Sequence, residues 1–432
     1  MSKTSVECRS CNATGLMPIL SLGETPLANS LLTRAQLYEP EPRFPLDLSF
    51  CPECSLVQIT ESVPPEDLFG DYLYFSSFSD TMLSSAAAIA LRLVGERGLG
   101  EHSLVVEVAS NDGYLLQYYA EAGVPVLGIE PAANVAAVAE SERGIPTRVE
   151  FFGEDAAKGL VSEGIRADVI HANNVLAHVP DLNGVVEGFA QLVKPDGVVV
   201  VEAPYLVDFV DRIEFDTIYH EHLCYFSLTA LDSLFARHGL TIVDVERLPI
   251  HGGSLRIFAT PASAGSGEGT AGRSVPVSDL LEQEAEWGVS GFAVYSGFAE
   301  AVALVRTQLR TLLAELKARG GRIAGYGASA KGSTLLNYCG LGAETLDFIV
   351  DRSTFKQGLY TPGTHLPILD PSELLDAMPE YVLLLTWNFA EEIVRQQAEY
   401  LRRGGRFVVP VPRPRVLDEP AEQESEGLPT CD

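Results

Sequence analysis

The sequence predicts an α/β protein in which two successive strand-and-helix blocks follow a small cysteine-ligated module. Three observations predict it. Four of the seven cysteines fall early, as Cys8-x-x-Cys11 and Cys51-x-x-Cys54. From Ser103 onward, short apolar runs rich in Val and Ile alternate with helical patterns, the mark of βαβ units around a parallel sheet. The alternation begins afresh at Gly321, beyond a stretch starting at Ala262 (ASAGSGEGTAGRSVPVS) that has the composition of a linker or surface loop. The expected domains are therefore 1–66, 67–261 and 262–415, with 416–432 a disordered acidic tail.

Bulk properties exclude several functions. A formal charge of -29 disfavours nucleic acid, whose phosphates need clustered Lys and Arg. No apolar run approaches the roughly 18 residues that span a bilayer. The N-terminal MSKTSVECRS lacks the apolar core of a signal peptide, so a cytoplasmic location without membrane attachment is expected.

The two Cys-x-x-Cys pairs supply four soft ligands. Such a set closes a tetrahedral Zn2+ site with no open position, so Cys8, Cys11, Cys51 and Cys54 are read as structural ligands. The metal would supply stability that so small a module lacks. Cys224, Cys339 and Cys431 are read as free thiols. Next, in FGDYLYFSSFSDTML, Tyr72 and Tyr74 each join an apolar body to a polar tip, ahead of a helix from about residue 80 to 97.

In the first α/β block, LVVEVAS is a strand that contains Glu107; NDGYLLQYYAEAG turns at Asn111, Asp112 and Gly113 into a helix; VPVLGIEP is a second strand ending on Glu130 and Pro131. The small-residue turn lets a ligand approach backbone, and an acid at the second strand tip can accept both hydroxyls of a ribose. The turn reads EVASNDG, without the G-x-G-x-x-G that brings backbone against a pyrophosphate. A nucleoside without a diphosphate fits better, which favours S-adenosylmethionine over NAD. ADVIHANNVLAHVPD places Asn173, Asn174 and His178 beyond a further strand end, where ligands of open α/β sheets sit. LTIVDVERLPIHGGSLRIFATP reads as a closing antiparallel hairpin around His251, Gly252 and Gly253.

The densest chemistry is EFDTIYHEHLCYFS, residues 214–227, with Tyr219, His220, Glu221 and His222 consecutive. Titratable groups so clustered suit proton transfer. Not all can converge on one substrate, and His220 is expected to be structural. The spacing is not H-E-x-x-H, which argues against a catalytic metal. In the last block a long helix is expected over 282–319, then strands at RIAGYG, TLDFIVD, YVLLLTW and RFVVPVP. GYGASAKG carries Tyr326, Ser329 and Lys331 on a glycine-rich strand-to-helix turn, which favours a phosphate. Arg352 and Lys356 follow the next strand.

In order, CxxC and CxxC, DYxYxSS, EVASNDG, GIEP, HANNVLAHVPD, EFDTIYHEHLCYFS, HGGSLR and GYGASAKGSTLLNY resemble the S-adenosylmethionine-dependent sugar C-methyltransferases of deoxysugar and antibiotic biosynthesis, which act on thymidine-diphosphate (TDP) keto-sugars. The resemblance implies a zinc module, a central class I (Rossmann-like) methyltransferase domain, and a C-terminal Rossmann-like α/β domain that helps hold the nucleotide-sugar. It implies that Glu130 binds the donor ribose, that Asn111, Asp112 and Gly113 form the donor loop, and that Glu107, Pro131, Asn173 and Asn174 line the same cleft. His222 corresponds to the general base, Tyr219 and Glu221 are its neighbours, His178 assists, and Tyr72 and Tyr74 face the sugar. His251, Gly252, Tyr326, Ser329, Lys331, Asn337, Arg352 and Lys356 would contact the TDP-keto-sugar. Methyl transfer to a carbon flanking the C4 ketone is expected, C3 ahead of C5, in a monomer or weak homodimer. Two readings from other classes are an NAD(P)-dependent nucleotide-sugar oxidoreductase and a non-catalytic, zinc-bearing ligand-binding protein.

Overall fold

The computed structural model describes residues 6–64, 76–78, 80–262 and 272–417. Tyr72, Tyr74, Cys431 and the acidic tail lie outside the described residues, as does the side chain of His251. The chain divides into two compact units, Met1–Glu24 with Phe44–Glu300, and Thr25–Arg43 with Ala301–Asp432.

This division differs from the boundary at 262 that the linker-like composition suggests. The helix Val275–Trp287 buries Val277, Leu280 and Glu284. Glu284 accepts the backbone N–H groups of Leu228 at 2.6 Å and Thr229 at 2.8 Å, which fixes the helix in the first unit. The helix expected over 282–319 is two, Val275–Trp287 and Ala293–Ala318, the former ended by Gly288 in the left-handed region. Residues 25–43 join the second unit because Leu32 bridges to Tyr360 and Glu41 accepts the Gly363 N–H at 2.8 Å.

In chain order the strands of the first unit are β1 (Met17–Thr25), β2 (Phe44–Phe50), β3 (Val57–Ile59), β4 (Val105–Val108), β5 (Val126–Ile129), β6 (Thr147–Arg148), β7 (Ala167–Asn173), β8 (Val193–Pro204), β9 (Cys224–Tyr225), β10 (Leu240–Leu248) and β11 (Ser254–Pro261). They form a four-stranded sheet, β1-β2-β3-β9, and a seven-stranded sheet, β10-β11-β8-β7-β4-β5-β6. In the larger sheet β4 to β8 are parallel, and the β10–β11 hairpin packs its second strand antiparallel against β8. A dinucleotide fold keeps its strands parallel in the order 3-2-1-4-5-6; the returning hairpin is a different ending. Val105, Leu115, Leu116, Tyr119, Val169 and Val200 form the core beneath this sheet, which holds the carboxyl ends of β4, β5 and β7 in register.

In the second unit, β12 (Ile323–Tyr326), β13 (Ile349–Val350), β14 (Ile368–Leu369), β15 (Tyr381–Leu384), β16 (Arg406–Val409) and β17 (Arg415–Leu417) form one sheet in the order β14-β13-β12-β15-β16-β17. The first five are parallel and β17 is antiparallel. The four expected strands are present; β14 and β17, at two and three residues, are too short to carry a period. Among the described residues no helix is long and apolar enough to cross a membrane.

Candidate active site

The loop after β4 turns sharply, with Ala109 at φ 52°, Asn111 at φ 50° and Gly113 at φ 78°. A positive φ is uncommon outside glycine, and such strain gathers where backbone must face a ligand. At Gly113 a Cβ would also sit 3.0 Å from Ile145. Glu130, one residue past β5, closes the loop: its Oε2 accepts the Asn111 N–H at 3.0 Å and its Oε1 accepts the Ala132 N–H at 2.9 Å. Each carboxylate oxygen keeps a second lone pair for a hydroxyl. The Asn111 side chain accepts the Ser76 N–H at 2.9 Å, and Asp112 accepts the Ser77 hydroxyl. The Asp112 backbone carbonyl takes an Arg143 N–H at 2.7 Å. Asn173 ends β7, and Asn174, at φ 56°, donates its N–H to the Glu202 carbonyl at 2.8 Å.

Glu107, Asp112, Glu130 and Glu202 are all buried in this region. Burial raises Glu107 well above the carboxylate range, reinforced by the charges of Asp112, Glu130 and Glu202. Burial also raises Glu130, against the pull of its two backbone N–H groups. Glu202 is offset by Arg256 at 2.6 Å, whereas Glu107 Oε2 and Asp112 Oδ1 have no hydrogen-bond partner among the described residues. When ionised, such a group of acids repels a pyrophosphate and favours a cation, which is the charge of a sulfonium donor with its ammonium group. A sign follows. Burial favours the protonated forms of Glu107 and Glu130, and a bound cation favours their ionised forms. Binding of S-adenosylmethionine is therefore expected to release protons and to tighten as pH rises through the shifted acids. Calorimetry in two buffers of different ionisation enthalpy should give different apparent enthalpies; equal values would contradict the assignment.

The residues 219–222 form a turn, neither helix nor strand, closed by the His222 N–H donating to the Tyr219 carbonyl at 2.8 Å. Their side chains diverge. His220 is buried, with Nε2 3.1 Å from the Pro45 carbonyl and its ring edge-on to Phe44, and burial lowers its pKa. His222 turns the other way: Nδ1 lies 2.9 Å from the Thr217 carbonyl and Nε2 lies 2.7 Å from the Tyr219 hydroxyl. A carbonyl only accepts, so Nδ1 carries the proton and Nε2 of the neutral ring is bare, accepting from Tyr219. The His178 ring meets His222 edge-on, with centroids 4.8 Å apart. Burial pushes His178 down to about 4, outweighing a hydrogen bond with the Glu221 backbone, so it is neutral near pH 7. The sequence-predicted His178, Tyr219 and His222 are thus brought together, and Glu221 joins them through its backbone contact with His178. What sequence reasoning missed is Thr217, whose contribution is a backbone carbonyl and leaves no side-chain signal.

The cysteines gather as expected. All four sulfurs lie within 4.8 Å of one another, with Cys8 to Cys54 at 3.5 Å and Cys11 to Cys51 at 3.6 Å; tetrahedral Zn–S bonds of about 2.3 Å require S–S edges of roughly 3.8 Å. The two knuckles repeat one backbone design. Asn12 (φ 58°) donates to the Cys8 carbonyl and Ser55 (φ 61°) to the Cys51 carbonyl, both at 2.9 Å. The donor set and geometry fit a four-thiolate zinc ion. Cys51→Ser is expected to abolish stoichiometric metal in elemental analysis and to lower Tm, by a shift that EDTA reproduces in the wild type.

In the second unit the glycine-rich turn leaves β12 at Gly327 (φ 94°), where a Cβ would lie 2.6 Å from Thr386. Ser329 caps the helix Ala330–Cys339 by accepting the Gly332 N–H at 3.1 Å. Lys331 Nζ lies 4.8 Å from the centre of the Trp387 ring. Lys356 donates to the Ala328 carbonyl at 2.8 Å, and Arg352 lies 3.6 Å from Glu392. Tyr326 is buried at the end of β12. Asn337 is used as a brace, donating to the Ser333 and Pro362 carbonyls at 2.9 and 3.1 Å. In the first unit, Gly252 and Gly253 lie directly against the Glu214 and Asp208 carboxylates, at distances a Cβ could not share.

A parallel sheet closed by an antiparallel hairpin, with buried acids gathered at the carboxyl ends of β4 and β5, is a class I methyltransferase domain; here it carries an N-terminal cysteine module and a C-terminal Rossmann-like sheet. Family models agree: a zinc binding domain matches residues 8–69, a methyltransferase domain residues 82–245, and a C-methyltransferase C-terminal domain residues 249–412. C-methyltransferase NovU of Streptomyces niveus is 39% identical over 95% of this chain and 96% of its own. A ubiquinone biosynthesis O-methyltransferase of Leptothrix cholodnii is 39% identical over 22% of this chain and 40% of its own. Among solved structures, the SAM-bound magnesium protoporphyrin IX methyltransferase of Synechocystis shares 14% identity over 45% of this chain and 88% of its own at a TM-score of 0.34, a likeness too slight to argue from. The chain belongs to the C-methyltransferase family.

Proposed function

We propose that this enzyme transfers a methyl group from S-adenosylmethionine to the carbon next to the ketone of a TDP-linked 4-keto-deoxysugar, C3 in preference to C5, in deoxysugar assembly. The observation that carries this reading is the pairing of Tyr219 with His222, whose tautomer is set by Thr217. The bound donor supplies an electrophilic methyl on a sulfonium. A sugar carbon cannot attack it until it carries negative charge, and a ketone beside the C–H bond makes that proton removable. With Nδ1 committed to Thr217, Nε2 is the base, and its one lone pair becomes available when the Tyr219 hydroxyl turns from it to donate to the ketone oxygen; the proton taken from carbon then ends on Nε2 while the tyrosine stabilises the enolate oxygen. The carbon electron pair forms the new C–C bond, and the S–CH3 electrons stay on sulfur. A neutral His178 beside His222 does not oppose the charge that His222 takes up.

Glu130 and the loop at Asn111, Asp112 and Gly113 would hold the donor, and Cys8, Cys11, Cys51 and Cys54 a structural Zn2+. The turn at Ser329 and Lys331, with Arg352 and Lys356, is the part of the second unit suited to a phosphate. Incubation with S-adenosylmethionine and a panel of TDP-4-keto-sugars, read by mass, tests the proposal. A product heavier by one methylene unit supports it, and none across the panel would sink it.

A further inference from the structure

We propose that Gln58 is a positioning residue for the turn that carries Tyr219 and His222, and that through it the cysteine knuckles hold that turn in place. β3 begins three residues after Cys54 and pairs on both edges. On one side Leu48, Ser49 and Phe50 of β2 face Ile59, Gln58 and Val57; on the other Gln58 faces Cys224 and Val57 faces Tyr225 of β9. β9 starts two residues beyond His222. The turn therefore leaves directly into a strand of the cysteine module, although 166 residues separate Gln58 from Cys224.

Further ties flank His222. Leu223 donates its N–H to the Ala177 carbonyl at 2.6 Å and accepts the Ile59 N–H at 3.0 Å, so β3 is stitched to the residue preceding His178. On the other side of His222, His220 reaches the Pro45 carbonyl in β2. Gln58 links these backbone ties to the first knuckle. Its side chain is fully buried, its Oε1 accepts the Arg9 N–H at 2.9 Å, and its Nε2 donates to the Glu7 carbonyl at 3.2 Å. It thus grips both neighbours of Cys8. Arg9 returns the contact, its guanidinium donating to the Glu61 carbonyl at 2.9 Å and the Ser62 hydroxyl at 2.7 Å. A buried amide with both ends used leaves a donor and an acceptor stranded when it is removed. The loosened strand, β3, is the one that β9, where the turn ends, pairs with.

The inference rests on the reading of Tyr219 and His222 as the reacting pair, but its test needs no turnover. Hydrogen exchange read by mass spectrometry is compared for wild type, Gln58→Leu, and wild type stripped with EDTA. Donor affinity is measured by calorimetry and zinc content is assayed. Amides of 219–226 and 176–179 are expected to exchange at least about tenfold faster in Gln58→Leu and in stripped protein, as expected for a local opening. Peptides over 105–113 and 126–136 should be unchanged, and the Kd for S-adenosylmethionine should stay within about threefold. Unchanged exchange at 219–226 in both samples overturns the proposal. Acceleration throughout the domain, or a Gln58→Leu chain that does not fold, overturns it too, because Gln58 would then support general stability. Failure to methylate keto-sugars sinks the functional reading and leaves the exchange result standing.

Discussion

His222→Asn is expected to lower kcat by about 10³-fold, within the range a positioned base contributes, while the Kd for S-adenosylmethionine stays within about threefold of wild type. The asymmetry follows from where the residue sits. His222 bonds Thr217 and Tyr219 and meets His178, whereas the loop proposed to hold the donor is fixed by the Asn111 N–H donating to Glu130. Asparagine has no basic nitrogen, so proton removal is lost even where its amide still reaches Thr217. Single-turnover kinetics with calorimetry separates the two quantities. A collapse of donor affinity would mean that His222 lines the donor cleft rather than the sugar.

Glu130→Ala is expected to act in reverse. Removing the carboxylate strands the N–H groups of Asn111 and Ala132, at about 1–3 kcal/mol for each buried group left unpaired, and takes away the ribose acceptor. A rise of roughly 30- to 100-fold in donor Kd is expected, about 2–3 kcal/mol, with kcat at saturating donor within about tenfold. Glu130→Gln, which keeps one acceptor oxygen, should fall between. Donor Kd unchanged in Glu130→Ala would remove this residue from the site.

What the sequence made legible was side-chain chemistry repeated at short range. Cys8, Cys11, Cys51 and Cys54 announce themselves because a two-residue spacing occurs twice, and the cluster forms. The βαβ order from Val105 is readable because buried parallel strands are continuous apolar runs. The four polar residues 219–222 stand out as a group, yet their separate surroundings do not, because these depend on a turn rather than a periodic element. That His220 faces Pro45 while His222 faces Thr217 is a matter of backbone direction. Long-range register was equally hidden: nothing local to Cys224 and Tyr225 says that they pair with Gln58 and Val57. The division into compact units departs from the composition for a related reason. The Gly/Ser-rich stretch looks like an end, but Glu284 beyond it caps a helix of the first unit.

In the proposed reaction, carbon is made nucleophilic by proton removal at the Tyr219–His222 pair. The most direct measurement of this step is solvent hydrogen exchange at the substrate. A TDP-4-keto-sugar is incubated in D2O with enzyme and S-adenosylhomocysteine, so that no methyl can be transferred. Deuterium is expected at a carbon flanking the ketone with wild type and none above background with His222→Asn. Methyl transfer by an enzyme that shows no such exchange, or equal exchange by the two proteins, would contradict this step.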